Sequence, residues 1–235
     1  MSRSVLITGA SKGIGEAVVR QFAEADDIAD VIMVARKSAE FDALLKEMKE
    51  DGPDGVAFHA YEADLADQDA VRGVVRQIMS DHGRVDVLIN NAGYTSPASI
   101  PQIDFADFER TIAVNLYAPF LIVQELMHLG NRFELVVNIS STAGINGRSG
   151  WLTYSASKAA LINMTEVMRE ELSALYGTRV VCISPGRCAT ALRRTLAPDE
   201  DPTTIMQPEH VADVIAMLAS PVGHFVASQN LVVRL

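Results

Sequence analysis

Seven short apolar runs punctuate the chain: Val5 to Thr8, Val31 to Ala35, Val56 to Tyr61, Val85 to Asn90, Leu135 to Ser140, Val180 to Ser184 and Leu231 to Val233. Each is strand-sized and nearly continuous in apolar residues, the pattern of strands buried on both faces. Between them lie longer stretches with helical spacing. "FDALLKEMKE", Phe41 to Glu50, repeats its apolar residues at three and four; so do Leu161, Met164, Met168, Leu172 and Leu175 before a stop at Gly177. The methionines of that second helix read as packing. This alternation predicts an α/β fold: about seven parallel strands in one doubly wound sheet, helices on both faces, forming a single domain over residues 1–235. One stretch, "RRTLAPDEDPTTIMQPE" from Arg193 to Glu209, fits neither period and is expected to be a mobile substrate loop, near 191–209, after the sixth strand.

Composition narrows the function classes. A formal net charge of −10 repels nucleic acid and anionic membranes, so neither is an expected partner, and an anionic ligand needs a local basic site. No run approaches the roughly 18 apolar residues that span a bilayer. The opening "MSRSVLITG" enters a strand with no leader pattern before it, so a cytoplasmic location is expected. Cys182 and Cys188 make no disulfide framework and have no histidine cluster near them in sequence; Cys182 reads as strand core, and no metal site is expected. The sequons at Asn138 and Asn163 fall in a strand and a helix and read as chance.

"TGASKGIG", Thr8 to Gly15, follows the first strand and opens the first helix. Glycines allow a tight turn and close backbone approach, while a helix N-terminus offers unpaired N–H groups to a pyrophosphate. A carboxylate at the end of the second strand would accept from the 2′-hydroxyl of NAD; a 2′-phosphate needs cations instead. This chain reads "VARKS", with Arg36 and Lys37 and no acid, and Lys12 lies in the glycine turn. The expected cofactor is therefore NADP(H) in preference to NAD(H).

"NISSTAG" ends the fifth strand, and "YSASK" sets Tyr154 and Lys158 one helical turn apart on one face. Together with "NNAG" (Asn90 to Gly93), the isolated Asn115 in "VNLY", Ser141 and "PGRCAT" (Pro185 to Thr190), these motifs in this order resemble the short-chain dehydrogenase/reductase family over nearly the whole chain. The resemblance implies a Rossmann-type sheet and a catalytic tetrad of Asn115, Ser141, Tyr154 and Lys158. Ser141 would hold the substrate oxygen and Tyr154 would supply its proton; Lys158 would lower the phenol's pKa and hold the nicotinamide ribose, and Asn115 would hold a water leading to solvent. By the same matching, cofactor contacts fall to Gly9, Ser11, Lys12, Gly13, Ile14, Gly15, Arg36, Asp64, Leu65, Asn91, Ala92, Gly93, Pro185, Gly186, Cys188 and Thr190, besides Tyr154 and Lys158. Asp64 would receive the adenine amine, Asn90 and Gly93 would line the cofactor, and Thr190 would reach the nicotinamide carboxamide or the diphosphate. Cys188 stands where relatives carry an aliphatic residue and reads as a tolerated substitution.

Two features depart from the common pattern. "AEADDIADVIMVAR" lacks the usual glycine before the second strand, which resembles the sepiapterin and benzil reductase branch. "ASQNLVVRL" stops where many relatives continue through "VDGG", which bears on the family's tetramer contact; a homodimer or homotetramer is expected, the dimer built by the helix pair led by Asn115 and Trp151. Tyr94, Thr142, Asn146, Arg148, Trp151, Arg187 and Leu192 flank the tetrad as pocket candidates. Tyr94 and Trp151 suit an apolar or aromatic carbonyl; Arg148, Arg187, Arg193 and Arg194 would suit an anionic substrate or an acyl carrier protein, or simply face solvent. The expected activity is NADPH-dependent reduction of a ketone, diketone or 3-oxoacyl thioester. A cofactor-binding sensor or scaffold without turnover, and an alcohol dehydrogenase working oxidatively, are the alternatives.

Overall fold

The computed structural model describes residues 2–226 and 230–235. The expectations attached to Met1 and to the "ASQ" of the C-terminal stretch lie outside the described residues.

All seven expected strands form one parallel sheet: β1 (Arg3–Thr8), β2 (Ile28–Ala35), β3 (Ala57–Glu62), β4 (Val87–Asn90), β5 (Leu135–Ile139), β6 (Arg179–Pro185) and β7 (Asn230–Val233), in the order β3-β2-β1-β4-β5-β6-β7. The chain winds outward from β1 to β3, then returns to β4 on the other side of β1. Side chains alternate across the sheet, and the two faces bury different sets. Val5, Ile7, Val31, Met33, Val87 and Ile89 pack under α1 (Gly13–Ala23), α2 (Ala39–Glu50) and α9 (Pro208–Ala219). Leu6, Ile32, Val34, Leu88, Val136 and Val180 pack under α3 (Gln68–His82), α5 (Ala118–His128) and α7 (Leu152–Tyr176). Gly177, at φ 69°, ends α7 in the left-handed conformation that a side chain would resist.

The remaining helices shape the carboxyl edge of the sheet. α4 (Phe105–Ile112) runs into α5 through one π turn, Ala113–Tyr117. Pro119 has no N–H to return to the carbonyl of Asn115, so the α-helical ladder is interrupted there and the turn widens. α6 (Thr142–Ile145) is a single turn after β5.

The stretch expected as a mobile loop is folded. Residues Ala191–Leu196 form α8, capped by the Thr190 hydroxyl, which accepts from the Arg193 N–H at 3.1 Å; a 3-10 turn at Pro202–Thr204 is capped by Asp201. Ile205 and Met206 are buried and tie the segment back to the end of β6, where Ala189 N–H donates to the Met206 carbonyl at 2.8 Å. Its polar composition hid two apolar anchors and two helix caps. No helix among the described residues is long and apolar enough to cross a membrane.

Candidate active site

A cleft of about 390 Å³ opens at the carboxyl edge, where the sheet's winding reverses between β1 and β4. Its nucleotide end is the turn from β1 into α1. Gly9 (φ 66°) and Gly13 (φ 60°) both occupy the left-handed region. A Cβ on Gly9 would lie 2.8 Å from the Cα of Ala92, so the "NNAG" segment can approach only a glycine. Thr8 ties the two segments together, its hydroxyl accepting from the Asn91 and Ala92 N–H groups at 3.1 Å each, while Asn91 Nδ2 donates to the Thr8 carbonyl at 3.0 Å. Among the described residues no side chain caps the N-terminus of α1, which leaves its first N–H groups open at the cleft wall made by Gly13 and Ile14.

Lys12 and Arg36 are exposed on the same end of the cleft. Lys37 lies beside them and pairs with Glu62 at 3.5 Å. Asp64 receives the Arg110 guanidinium at 2.8 Å and the Ala66 N–H at 3.0 Å. Burial alone would raise its pKa; the Arg110 hydrogen bond, that N–H and the Arg110 and Arg36 charges outweigh it and hold the carboxyl below its ordinary value.

At the other end, Ser141, Tyr154 and Lys158 share one wall. Ser141 caps α6, its hydroxyl accepting from the Ala143 N–H at 3.1 Å. That turn is locked to α7: the Ser140 hydroxyl donates to the Lys158 carbonyl at 2.7 Å, and Gly144 sits against the same peptide. A Cβ on Gly144 would lie 2.6 Å from the Lys158 carbonyl carbon. Gly144→Ala is therefore expected to destabilise the fold by ~1–3 kcal/mol in urea unfolding, by forcing α6 off α7.

Tyr154 and Lys158 are 6% and 3% exposed, so burial governs both. It raises the phenol's pKa, against the Ser141 hydroxyl and the Arg193 charge, which lower it. Burial lowers the lysine to about 8. Here the structure corrects the expectation that Lys158 brings the phenol down. The Lys158 ammonium donates to the Ile139 carbonyl at 2.8 Å and lies 5.9 Å from the Tyr154 ring centroid, and the phenol stands above its ordinary value.

Asn115 is wholly buried behind this wall and does not line the cleft. Its amide donates to the Tyr94 carbonyl and to the Ser157 hydroxyl, both at 2.9 Å, and its Oδ1 accepts the Tyr94 N–H at 2.8 Å. It pins the π turn to the "NNAG" segment and to α7.

Of the expected cofactor contacts, Gly9, Ser11, Lys12, Gly13, Ile14, Arg36, Asp64, Leu65, Asn91, Ala92, Gly93, Pro185, Gly186, Cys188 and Thr190 all line the cleft. Gly15 does not; it is a packing glycine, since a Cβ there would meet the Gly9 carbonyl oxygen at 2.1 Å. Asn90 does not either. Its amide is buried in the sheet and donates to Asn138 Oδ1 on the neighbouring strand at 2.8 Å. Cys188 is 4% exposed, and burial pushes its thiol up to about 12, far from a reactive thiolate.

The pocket candidates divide. Tyr94, Thr142, Arg148, Trp151, Arg187 and Leu192 line the cleft, whereas Asn146 does not. Arg187 and Arg193, considered as anion selectors, both bind Glu200, at 3.2 and 2.5 Å, so one carboxylate answers about half of their combined charge. Arg193 and Arg148 lie over the Trp151 ring, at 5.5 and 5.6 Å from its centroid. The Tyr94 hydroxyl is committed to Asp107 at 2.6 Å, and its ring carries Arg110 at 5.3 Å. Arg110, Asp107 and Glu200 carry no motif and were not among the expected residues; each acts across a separation that local spacing does not show.

The family model for short chain dehydrogenases matches residues 3–201. The 3-oxoacyl-[acyl-carrier-protein] reductase FabG of Thermotoga maritima is 34% identical over 234 residues, covering 95% of this chain and 93% of the relative. A blue fluorescent protein from a metagenomic library, solved in complex with NADPH, superposes with a TM-score of 0.86 at 30% identity, covering 98% of this chain and 96% of that one. A 3-ketoacyl-(acyl-carrier-protein) reductase from Brucella melitensis, complexed with NADH, gives 0.84 at 27%, covering 99% and 96%. The chain belongs to the short-chain dehydrogenase/reductase family of oxidoreductases.

Proposed function

We propose that this short-chain dehydrogenase/reductase reduces a carbonyl compound, a 3-oxoacyl thioester first among them, to a secondary alcohol with NADPH. The observation that carries the reading is the meeting of Ser141, Tyr154 and Lys158 on the wall of a cleft whose other end is a glycine turn beside two cations. The thioester rests on the 34% identity to a 3-oxoacyl-[acyl-carrier-protein] reductase; NADPH rests on Arg36 and Lys12, since the superposable structures include one with NADPH and one with NADH.

The cleft fits a dinucleotide. Its glycines leave room that a Cβ would fill, the open N-terminus of α1 suits a diphosphate, and Asp64 and Leu65, which line the cleft, would wall an adenine. A bound reduced nicotinamide would supply the hydride that makes the new C–H bond. The protein's own part concerns the substrate oxygen. The Ser141 hydroxyl donates to it as negative charge develops, and the Tyr154 O–H gives up its proton to make the alcohol. The resulting phenolate is held by the Ser141 hydroxyl and by the Arg193 charge. At pH 7, a lysine titrating at about 8 is mostly ammonium, and with its Nζ 5.9 Å from the Tyr154 ring centroid it would exchange its proton with the phenol through a water. Asn115, bonded to α7 and beside Lys158, is the residue to hold such a water. Tyr94, Trp151, Leu192 and the strap from Ala191 to Glu209 form the substrate side, and exposed Tyr117 at the end of the π turn, Phe120 on α5 and Val167 on α7 support a homo-oligomer.

The activity test is NADPH consumption against acetoacetyl thioesters, aromatic diketones and simple ketones. Consumption with none of them would favour a binding protein. The cofactor is tested separately: Arg36→Ala should weaken NADPH binding roughly ten- to a hundredfold, the value of a charge-assisted hydrogen bond, and leave NADH within a factor of about two. Equal weakening of both in fluorescence titrations would remove Arg36 from 2′-phosphate recognition.

A further inference from the structure

Outside the cleft, Asp30 on β2, His59 on β3 and His82 at the end of α3 converge, and one ligand atom of each lies within 4.8 Å of the others. None of the three lines the cleft. His59 Nε2 is 2.8 Å from Asp30 Oδ1, His82 Nδ1 is 4.0 Å from the same oxygen, and the two imidazoles meet edge to face at 4.4 Å.

The hydrogen bonds behind His82 fix its tautomer. The Tyr61 hydroxyl lies 2.8 Å from Asp81 Oδ2 and 2.9 Å from His82 Nε2. A carboxylate can only accept, so the phenol spends its one proton on Asp81 and must accept from His82 Nε2–H. A neutral His82 therefore has its lone pair on Nδ1, aimed at a carboxylate oxygen that is itself an acceptor. Two acceptors facing each other call for a cation between them. The chain Asp81–Tyr61–His82 is also the outer support that metal-binding imidazoles use, with the second ring nitrogen donating toward a carboxylate.

We propose that Asp30 Oδ1, His59 Nε2 and His82 Nδ1 bind a divalent zinc-class cation, with water in the remaining position. Two imidazoles and a carboxylate suit Zn²⁺ or Co²⁺ over Mg²⁺ or Ca²⁺, which take oxygen ligands. His59 now donates from Nε2 to Asp30; on binding, that proton moves to Nδ1 and Nε2 becomes the ligand, so no net proton need be lost. The cation would join β2, β3 and the end of α3 at the outer edge of the sheet. Such a site is invisible to spacing rules, because its ligands come from three elements.

Equilibrium dialysis against ZnCl₂, and titration with CoCl₂ read by the visible absorption of a low-coordinate Co²⁺, test this on the full chain. The expected result is one equivalent bound, abolished in His59→Ala and in His82→Ala and weakened about 10- to 100-fold in Tyr61→Phe, which removes only the support. Zn²⁺ should also raise the Tm of the wild type and not of the histidine variants. Circular dichroism and retained NADPH binding show that the variants fold. Should a variant fail to fold, Asp30→Asn, which keeps shape and loses charge, takes its place. No uptake by the wild type, or uptake undiminished in His82→Ala and so owed to His128, His210 or His224, overturns the proposal.

Discussion

Tyr154→Phe should lower kcat for NADPH-dependent carbonyl reduction by ~10²–10⁴-fold, the range for loss of a positioned general acid, and leave NADPH affinity within a factor of about two. The substitution removes one oxygen from a side chain that is 6% exposed and leaves the ring, so the wall of the cleft keeps its shape. What disappears is the proton source. Because burial holds the phenol above its ordinary pKa, Tyr154 carries its proton across the neutral range and, in the proposed reduction, would be present as the acid. Reduction by the wild type should then show no acidic-to-neutral titration from Tyr154. Oxidation of the product alcohol, which needs the phenolate, should climb with pH. A variant that keeps wild-type kcat would place the proton donor elsewhere.

The second large effect is on stability. Lys158→Met should abolish detectable turnover and yet make the protein more stable at pH 7, by about 1–3 kcal/mol. Burial takes the lysine from 10.5 to about 8, and at about 1.4 kcal/mol for each tenfold change in proton affinity, keeping the ammonium inside costs ~3 kcal/mol. About 1 kcal/mol is returned by its hydrogen bond to the Ile139 carbonyl. The sign follows from proton counts. Below pH 8 both folded and unfolded chains hold the proton and the full cost applies; between about 8 and 10.5 the unfolded chain holds more, so wild-type stability rises with pH from this group; above 10.5 the cost is gone. The variant's advantage in urea unfolding should therefore be largest at pH 7 and shrink toward pH 10. A variant less stable than wild type by the same amount at every pH would mean that the ammonium is not what burial penalises.

The strands were legible because both faces of a parallel sheet are covered, which writes each one as an unbroken apolar run. α7 was legible from its apolar spacing and from Gly177. The cleft was legible for a similar reason: "TGASKGIG", "NNAG" and "YSASK" are local patterns that a strand-to-helix turn or one helical face demands. What escaped depends on distance in space. Asp64 and Arg110 are 46 residues apart, so the ion pair that fixes the carboxylate has no local trace. Asn90 and Asn91 are adjacent and identical, and only the register of β4 against β5 sends the first into the sheet and leaves the second beside Thr8. The strap after β6 read as a mobile loop because its two anchors, Ile205 and Met206, are outnumbered by polar residues. The role of Lys158 was half legible. Its place beside Tyr154 followed from helical spacing, but which way the phenol shifts depended on burial and on where the ammonium is held.

The central claim is hydride transfer to a carbonyl in the cleft that holds Tyr154. Its most direct test is a single turnover with NADPH deuterated at the transferring position of the nicotinamide and an acetoacetyl thioester, followed by mass analysis of the product. One deuterium is expected on the carbon that carried the carbonyl in wild type, and none formed on that time scale by Tyr154→Phe with NADPH still bound. NADPH binding without label transfer to the thioester, a diketone or a simple ketone would contradict it.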